Sequence, residues 1–306
     1  MPFRRPLLIA IVLSLSACAS MRDAPEPDQY GDQDPMLSEY DVPHALVSEA
    51  FLSASTPDDN IDSPASWRAP DGTTWVFATA KVGGQLVIYD GDTGATLRRF
   101  GSEGDGPGQF RRPNGVAVHG DLLFVVERDN RRVQVLSLPA LTTLTSFGRE
   151  QLTQPYGLWV RELAPGDLEV IVTDAYMAGK RPNGWDIAPP LPELDHRMQR
   201  YRVTLSAGGA SARHVAAFGD VSAAGAIRIP ESIQGDVAHD RLLISEEDTM
   251  VGTAVREYDL AGSYRGRTIG LGTFKAQAEG IALWQCADGS GYWITREALR
   301  HIWRSE

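Results

Sequence analysis

Three features of the sequence predict an all-β fold assembled from repeated sheets. The chain of 306 residues contains 30 glycines and 19 prolines, a content that indicates many turns. Beyond residue 45 no convincing amphipathic helix is found, and four short strand-like runs recur instead in a fixed order. Four-stranded units of roughly 40 to 50 residues are typical of a β-propeller, in which the units stack as blades around a central channel.

A glycine near the start of the first strand anchors each of four units. These glycines are Gly115, Gly157, Gly235 and Gly280. The steps between them are 42, 78 and 45 residues, and the long step contains a Pro-rich insertion at residues 178–196. The fifth unit stops after its second strand, with only residues 300–304 left for a third. We therefore predict five to six blades with an incomplete last one, and residues 45–53 as a closing strand.

Residues 1–18 predict a lipoprotein signal peptide. Arg4 and Arg5 precede an apolar run that is too short to span a bilayer. The run ends in the sequence LSAC, which resembles a bacterial lipobox with Cys18 as the lipidated residue. An ordinary signal peptide that is cleaved near Ala19 is the alternative.

The chain after the signal peptide divides into two parts. Residues 19–44 are rich in Asp, Glu, Pro and Gln and predict a flexible linker, whereas residues 45–306 form the predicted propeller domain. The residue after Cys18 is Ala19 and not Asp, which resembles the signal for sorting to the outer membrane. We therefore expect a monomer that is attached by lipid to the outer membrane of a bacterial cell envelope.

The charge of the chain excludes one class of partner. The formal net charge is −11, and it becomes −13 without residues 1–18, which contain two arginines and no acidic residue. Such a surface repels nucleic acid, and no basic stripe with interleaved aromatic residues is present in the sequence. We predict no nucleic-acid partner.

Several common catalytic patterns are missing from the sequence. It contains no G-x-S-x-G elbow, no H-E-x-x-H pair and no C-x-x-C pair. The glycines between residues 101 and 108 precede a predicted strand instead of a helix, so they predict turns and not a dinucleotide site. Cys286 has no activating histidine or cation near it in sequence and is predicted to be a small buried hydrophobe.

Charged residues follow corresponding ends of the predicted second strands. They are Lys81, Glu127-Arg128, Asp174, Glu246-Glu247-Asp248 and Arg296-Glu297. In a propeller these positions lie near the central channel, where carboxylates suit Ca²⁺ and Lys or Arg suits phosphate. The alternative is that these residues are ordinary polar ends of strands.

Short segments between about residues 45 and 295 resemble, in order, the motifs of one enzyme family. The segments are NIDSPASW (60–67), TAKVGGQLVIY (79–89), QPYGL (154–158), LISEED (243–248) and AEGI with GSGYW (278–293). In them the chain is similar to the β-propeller phytases, which are alkaline, calcium-dependent 3-phytases. Separately, residues 101–148 resemble an NHL repeat, which is a blade motif of other propellers.

The phytase resemblance implies an activity and a set of site residues. It implies that the protein hydrolyses phytate (myo-inositol hexakisphosphate) or related inositol phosphates with Ca²⁺, through metal-activated water. Carried over by position, it implies Lys81, Arg128 and Tyr156 as catalytic, phosphate-binding residues, and Asp62, Glu246 and Glu279 as calcium ligands. The alternative is a non-catalytic NHL-type propeller that serves as a binding or scaffold module of the envelope.

The chain also departs from the phytase pattern. An acidic residue of the family is replaced at Gln234, in the segment IQG, and another at Ala117. The family continues beyond the segment that corresponds to Thr295, where this chain ends after a few residues. These differences remove two predicted carboxylate ligands, so a weakened or inactive calcium–phosphate site is an alternative expectation.

Overall fold

The structure is a computed structural model that describes residues 49–182, 186–248, 250–274, 277–297 and 304–305. The predicted signal peptide with Cys18 and the predicted linker lie outside the described residues. Within the described part of the chain the regular structure consists of strands and three 3₁₀ turns, which are Pro57–Asp59, Leu191–Glu193 and Val237–His239. No helix in that part is both long enough and apolar enough to cross a membrane.

The first two blades are antiparallel sheets whose four strands are ordered as in the chain. Blade 1 consists of β1 (Ile61–Arg68), β2 (Thr74–Ala80), β3 (Gln85–Asp90) and β4 (Thr96–Phe100). Blade 2 consists of β5 (Pro113–His119), β6 (Leu122–Glu127), β7 (Arg132–Ser137) and β8 (Thr142–Phe147).

The remaining sheets continue this order and include one insertion. Blade 3 consists of β9 (Pro155–Ala164), β10 (Asp167–Asp174), β13 (Met198–Ser206) and β14 (Gly209–Phe218), and a separate hairpin of β11 (Gly179–Lys180) and β12 (Asp186–Ile187) interrupts it. Blade 4 consists of β15 (Pro230–Asp236), β16 (Arg241–Glu246), β17 (Ala254–Tyr258) and β18 (Tyr264–Ile269). Blade 5 has three described strands, β19 (Ala278–Gln285), β20 (Gly291–Glu297) and β21 (Arg304–Ser305).

This architecture confirms the predicted β-propeller fold class. Five blades lie within the described residues, the last with three described strands, and the insertion lies between the second and third strands of blade 3. The inner strands of successive blades pack side by side, from β1 to β5, β9, β15 and β19. Residues 49–53, the described part of the predicted closing strand, are not in a strand.

Apolar side chains between facing blades hold the propeller together. Buried residues fill the interfaces of blades 1 and 2, of blades 2 and 3, and of blades 3 and 4. Representative residues of the three interfaces are, respectively, Phe77 with Leu123, Phe124 with Val170, and Ile171 with Ile244. Each sheet is thus covered by its neighbours, because a single blade cannot bury its own apolar faces.

Every inner strand begins with the same β-bulge. In each blade, three steps along the inner strand match two steps along the second strand. The first residues of the bulges are Asp62, Asn114, Tyr156, Glu231 and Glu279, and the second residues are Ser63, Gly115, Gly157, Ser232 and Gly280. Because the bulge is the same in every blade, its five first residues occupy equivalent positions around the channel. The bulge also re-aims their side chains.

The second bulge residue is small because neighbouring inner strands approach closely there. A Cβ atom on Gly157 would overlap the backbone carbonyl oxygen of Glu231, and one on Gly115 would overlap that of Tyr156. Serine also serves, with its short side chain, at Ser63 and Ser232. Gly115 and Gly157 therefore have no room for a Cβ atom, whereas the equivalent positions of blades 1 and 4 accommodate serine.

Two expectations from the sequence were wrong in this region. The fourth unit was anchored at Gly235, but Ser232 holds the equivalent position, so the predicted repeat was three residues late in that blade. The reason is that a search for glycine overlooks a bulge position that accommodates a serine. Cys286 is exposed beyond the end of β19, and it is not a buried hydrophobe.

Candidate metal and phosphate site

A second set of equivalent positions lies directly after the second strand of each blade. Its members in the first four blades are Lys81, Arg128, Ala175 and Glu247. The backbone N–H of each donates to the carbonyl oxygen of the residue two places before the bulge, at 3.1, 3.1, 2.9 and 3.0 Å. Because both sets occur at the same end of every blade, the fold collects these side chains at one mouth of the channel.

Three glutamates from blades 4 and 5 form a carboxylate group at this mouth. Glu231, Glu247 and Glu279 each offer an oxygen, and these oxygens lie within 4.8 Å of one another. Glu231 is 7% exposed, and its Oε2 is buried without a hydrogen-bond partner. Burial raises the pKa of Glu231 well above its usual value, and the negative charges of Glu247, Glu279 and Asp62 raise it further.

The carboxylate group fits a divalent cation. Carboxylate oxygens are the ligands that Ca²⁺ prefers, and a cation would offset the repulsion that keeps the pKa of Glu231 high. Asp62 Oδ2 is a second buried carboxylate oxygen without a hydrogen-bond partner, and it belongs to the equivalent bulge position in blade 1. Uncompensated buried carboxylate oxygens need a partner, and a cation is the partner that suits several of them together.

Lys81 brings a positive charge to the same mouth from blade 1. Its Nζ lies 3.3 Å from Asp62 Oδ1 and donates a hydrogen bond of 3.0 Å to the hydroxyl of Tyr156. The Lys81 side chain is only 3% exposed, so these two residues hold the ammonium group in a defined place. The hydrogen bond to Tyr156 joins blade 1 to blade 3.

Two arginines of blade 2, Arg112 and Arg128, lie near each other, and Arg112 also lies near Tyr156. Arg128 donates from Nε to Asp129 Oδ1 at 2.7 Å and is partly exposed. Arg112, directly before β5, has a left-handed backbone with a φ of 45°. Burial lowers the pKa of Arg112, and the positive charge of Arg128 lowers it further. Two close guanidinium groups favour an anion between them. Sequence reasoning missed Arg112 because it considered the ends of the second strands, and Arg112 precedes an inner strand.

Glu246, which the resemblance implied as a calcium ligand, has a different environment. It is fully buried, and its carboxylate accepts backbone N–H bonds from Arg228 at 2.6 Å, Ile229 at 2.9 Å and Asp248 at 3.0 Å. Burial raises the pKa of Glu246, and the bonds from these N–H groups oppose that shift. Glu246 thus braces the loop before β15, and Glu247, the next residue, belongs to the carboxylate group instead.

The same brace recurs in other blades. Asp174 accepts backbone N–H bonds from Thr153 at 2.9 Å and Gln154 at 2.6 Å, and Glu127 accepts one from Arg111 at 3.2 Å. All three acids end the second strand of their blade. Their recurrence shows that an acid at this position stabilises the loop that enters the inner strand.

The two expected losses of acidic residues have different outcomes. Gln234 lies within β15, but Glu231, three residues earlier, supplies a carboxylate at the bulge position equivalent to Glu279. Ala117 lies in β5 opposite Phe124 and packs against the core between blades 2 and 3. Sequence reasoning missed Glu231 because it placed the fourth repeat three residues late.

Hydroxyl groups hold two of the glutamates in place through their backbones. Thr173 Oγ1 accepts from the N–H of Gly157 at 2.8 Å and donates to the carbonyl oxygen of Glu231 at 2.7 Å. Ser245, equivalent to Thr173 in the next blade, donates from Oγ to the carbonyl oxygen of Glu279. Each hydroxyl therefore links one blade to the bulge of the following blade.

Comparisons with known proteins add limited information. No family model matches the chain, and no curated protein matches it. Among solved structures, the chain is similar to Kuenenia stuttgartiensis hydrazine synthase, with 12% identity and a TM-score of 0.44 over 79% of this chain and 56% of that one. The chain is also similar to a chain of a nidogen/laminin complex, with 14% identity and a TM-score of 0.45 over 79% of this chain and 77% of that one. A third similar structure is the Cps50 (Swd1) β-propeller domain of Myceliophteria thermophila, with 11% identity and a TM-score of 0.43 over 77% of this chain and 62% of that one.

The chain thus spans little more than half of the hydrazine synthase chain. These comparisons concern the fold alone, and the β-propeller class agrees with the strand order and pairing of the blades.

Proposed function

We propose that the protein is a calcium-dependent phosphomonoesterase that acts on phytate or related inositol phosphates. The observation that carries the proposal is the juxtaposition of a group of three carboxylates, one buried and two half-buried, and a held ammonium group at one channel mouth. The carboxylates are those of Glu231, Glu247 and Glu279, and the ammonium is that of Lys81 between Asp62 and Tyr156. This pairing of charges suits a phosphate ester together with its cation.

The carboxylates have the task of holding the cation. Glu231, Glu247 and Glu279 would bind it, with Asp62 at the edge of the group. Calcium bound there would supply a Lewis acid that screens the charge of a phosphate and lowers the pKa of a coordinated water molecule. The protein itself has a net charge of −11, so a polyanionic substrate needs such screening to approach it.

The positive side chains have the task of holding the phosphoryl group. Lys81, Arg112 and Arg128 would bind its oxygens and stabilise the negative charge that develops on them during hydrolysis. Tyr156 accepts the hydrogen bond from Lys81 and keeps the ammonium group in place. No protein nucleophile is required in this scheme, which agrees with the lack of catalytic motifs in the sequence.

The proposal includes a location for the protein. We propose that Cys18 is lipidated and that the protein acts as a monomer at the outer membrane of a bacterial envelope. Labelling with radioactive palmitate should mark the wild-type protein and should be lost in Cys18→Ser. Labelling that persists in the variant would contradict the anchor.

An assay of phosphate release tests the proposed activity. The purified protein should release phosphate from calcium phytate at neutral to alkaline pH, and chelation with EGTA should stop the release. Lys81→Met should lower the rate by about a hundredfold or more, the scale of losing one group that stabilises a transition state. Lys180→Met is the matched control, because Lys180 is 69% exposed in the hairpin of the insertion and pairs with Asp186.

The possible outcomes separate the two functions that the sequence left open. Release that depends on calcium and on Lys81, but not on Lys180, supports the phosphomonoesterase. A folded wild-type protein that binds calcium but releases no phosphate would contradict it and favour the non-catalytic binding module.

A further inference from the structure

A cavity of about 410 Å³ lies between blades 4 and 5, away from the channel mouth. Its apolar wall is formed by strands of both blades, with the side chains of Leu243, Val255, Ile269, Ile281, Leu283 and Trp293. The buried core of this interface is centred on Leu243, Val255, Phe274 and Ala278. It is smaller than the cores of the other described interfaces. The two blades therefore leave open a space that the other pairs of blades fill with side chains.

One end of this interblade cavity is polar. Arg241 pairs with Asp236 Oδ2 at 2.6 Å, and His239 Nδ1 lies 2.8 Å from the same oxygen. Arg241 also places its guanidinium 5.9 Å from the centre of the Trp293 ring, so it reaches from blade 4 towards blade 5. The Nε atom of Arg241 is buried without a hydrogen-bond partner.

A second guanidinium lies in the lining. Arg267 is 61% exposed, and its Nη1 lies 3.5 Å from Glu257 Oε2, a loose contact. The residues that line the cavity thus include two guanidinium groups and one carboxylate, that of Asp236. Each guanidinium has a carboxylate neighbour, Asp236 for Arg241 and Glu257 for Arg267, and Glu257 is not among the residues that line the cavity.

The size and the composition of the cavity are those of a ligand site. Pockets for small molecules have volumes of roughly 300–1,000 Å³, with mostly apolar walls and a few polar groups that fix orientation. Here the aromatic ring of Trp293 offers a flat surface, and the side chains of Arg241 and Arg267, which are 23% and 61% exposed, offer guanidinium N–H donors. Such donors suit an anionic group on the ligand.

We propose that the interblade cavity binds a small organic acid with a flat apolar body. The anionic group lies at Arg241 and Arg267, and the body lies between Leu243 and Val255 of blade 4 and Trp293 of blade 5. This site shares no residue with the channel mouth, so the inference does not depend on the proposed phosphomonoesterase activity.

Two related fluorescent probes test the proposal on the purified protein. One is 8-anilinonaphthalene-1-sulfonate, and the other is N-phenyl-1-naphthylamine, which has the same rings without the sulfonate. We expect one molecule of the sulfonate probe to bind per chain. Its affinity should be about tenfold or more higher than that of the neutral probe, because only the sulfonate can form a charge-assisted hydrogen bond. Near-ultraviolet circular dichroism should stay unchanged, which separates binding in a folded cavity from binding to a loosened core.

Variants locate the binding in the cavity. Arg267→Gln should weaken binding of the sulfonate probe by about tenfold and leave the neutral probe unaffected. Arg265→Gln is the matched control, because Arg265 lies on the same strand and pairs with Asp240, and it does not line the cavity. Leu283→Trp should fill the cavity and abolish binding of both probes, and Ile281→Phe serves as a smaller filling variant if the first fails to fold.

Three results would overturn the proposal. One is equal affinity for the two probes, which would mean that the guanidinium groups do not select an anion. Another is unchanged binding in a folded filling variant, which would place the probe elsewhere. The third is the absence of measurable binding of either probe to the folded wild-type protein.

Discussion

The two halves of the channel mouth carry opposite charges at equivalent positions of the fold. After the second strand, blades 1 and 2 present Lys81 and Arg128, whereas blade 4 presents Glu247. At the bulge, blades 4 and 5 present Glu231 and Glu279, and the acid at the bulge of blade 1, Asp62, pairs with Lys81. The backbone hydrogen bonds that place these residues are the same from blade to blade.

This difference teaches that the repeated backbone and the site chemistry are separable. The bulge and the strand end supply positions, and the side chains that occupy them divide the mouth into a cationic half and an anionic half. A phosphate and a divalent cation have complementary preferences for such halves. The following predictions test whether the division is real, from the largest expected effect to the smallest.

Glu231→Gln should damage the anionic half most. It removes a buried carboxylate from the group of three. Loss of an outer-sphere partner lowers metal affinity by about 10- to 100-fold in other sites, so loss of a direct ligand should lower the affinity for Ca²⁺ by at least as much. Isothermal titration calorimetry measures this affinity directly. Glu150→Gln, an exposed glutamate outside the site, is the control and should bind like the wild type. An unchanged affinity in Glu231→Gln would remove the carboxylate group from the proposal.

The same variant should reveal the raised pKa of Glu231 through stability. In the folded protein this pKa lies well above 4.5, so the folded state holds a proton that the unfolded state releases between the two values. The contribution of Glu231 to the free energy of unfolding therefore falls as the pH rises from about 4.5 through the raised pKa. Without calcium, the melting temperature of Glu231→Gln should match that of the wild type at low pH and exceed it increasingly as pH rises. A difference that does not change with pH would contradict the raised pKa.

Thr173→Val should loosen the link between blade 3 and the glutamate of blade 4. It leaves the N–H of Gly157 and the carbonyl oxygen of Glu231 without their partner, which should cost about 1–3 kcal/mol of unfolding free energy. Urea unfolding measures this loss, and Thr173→Ser should restore most of it. Thr204→Val, at an exposed strand position, should stay within about 0.5 kcal/mol of the wild type.

Lys81→Met should affect the two halves in opposite directions. The charge of Lys81 lowers the pKa of Glu231 and thus also opposes a cation at the carboxylate group. Its removal should raise the affinity for Ca²⁺ by a few-fold, on the order of 1 kcal/mol for a partly screened charge, while phosphate release falls. Calorimetry with Lys180→Met as the control tests this, and a lower calcium affinity in Lys81→Met would show that the halves do not act as separate charges.

Much of the fold was predictable because strand patterns and turns are local properties of the chain. The strand runs and the insertion in blade 3 follow from alternation, Pro/Gly turns and spacing. The register of blade 4 did not follow, because its bulge holds Ser232, whereas the bulges of blades 2 and 3 hold glycines that have no room for a Cβ atom. The room at each position is set by a neighbouring inner strand, which is distant in sequence.

The candidate site was only partly predictable for a related reason. Lys81 follows from its place at the end of a predicted strand, whereas only the resemblance to the β-propeller phytases implied Asp62, Tyr156 and Glu279. Glu246 and Glu247 are adjacent and chemically identical, and the sequence offers no way to choose between them. In the fold, Glu246 turns to the backbone N–H groups of the loop before β15, and Glu247 joins the carboxylates.

The sequence by itself determined the propeller class, the order of the strands and the kinds of charge available at the ends of the strands. The tertiary structure decided which charges meet. Lys81 reaches Tyr156 from two blades away, Glu231 meets Glu279 of the next blade, and Arg112 comes under the field of Arg128. Such meetings depend on how the blades pack around the channel, because residues far apart in the chain become neighbours only when apolar faces between the blades are buried.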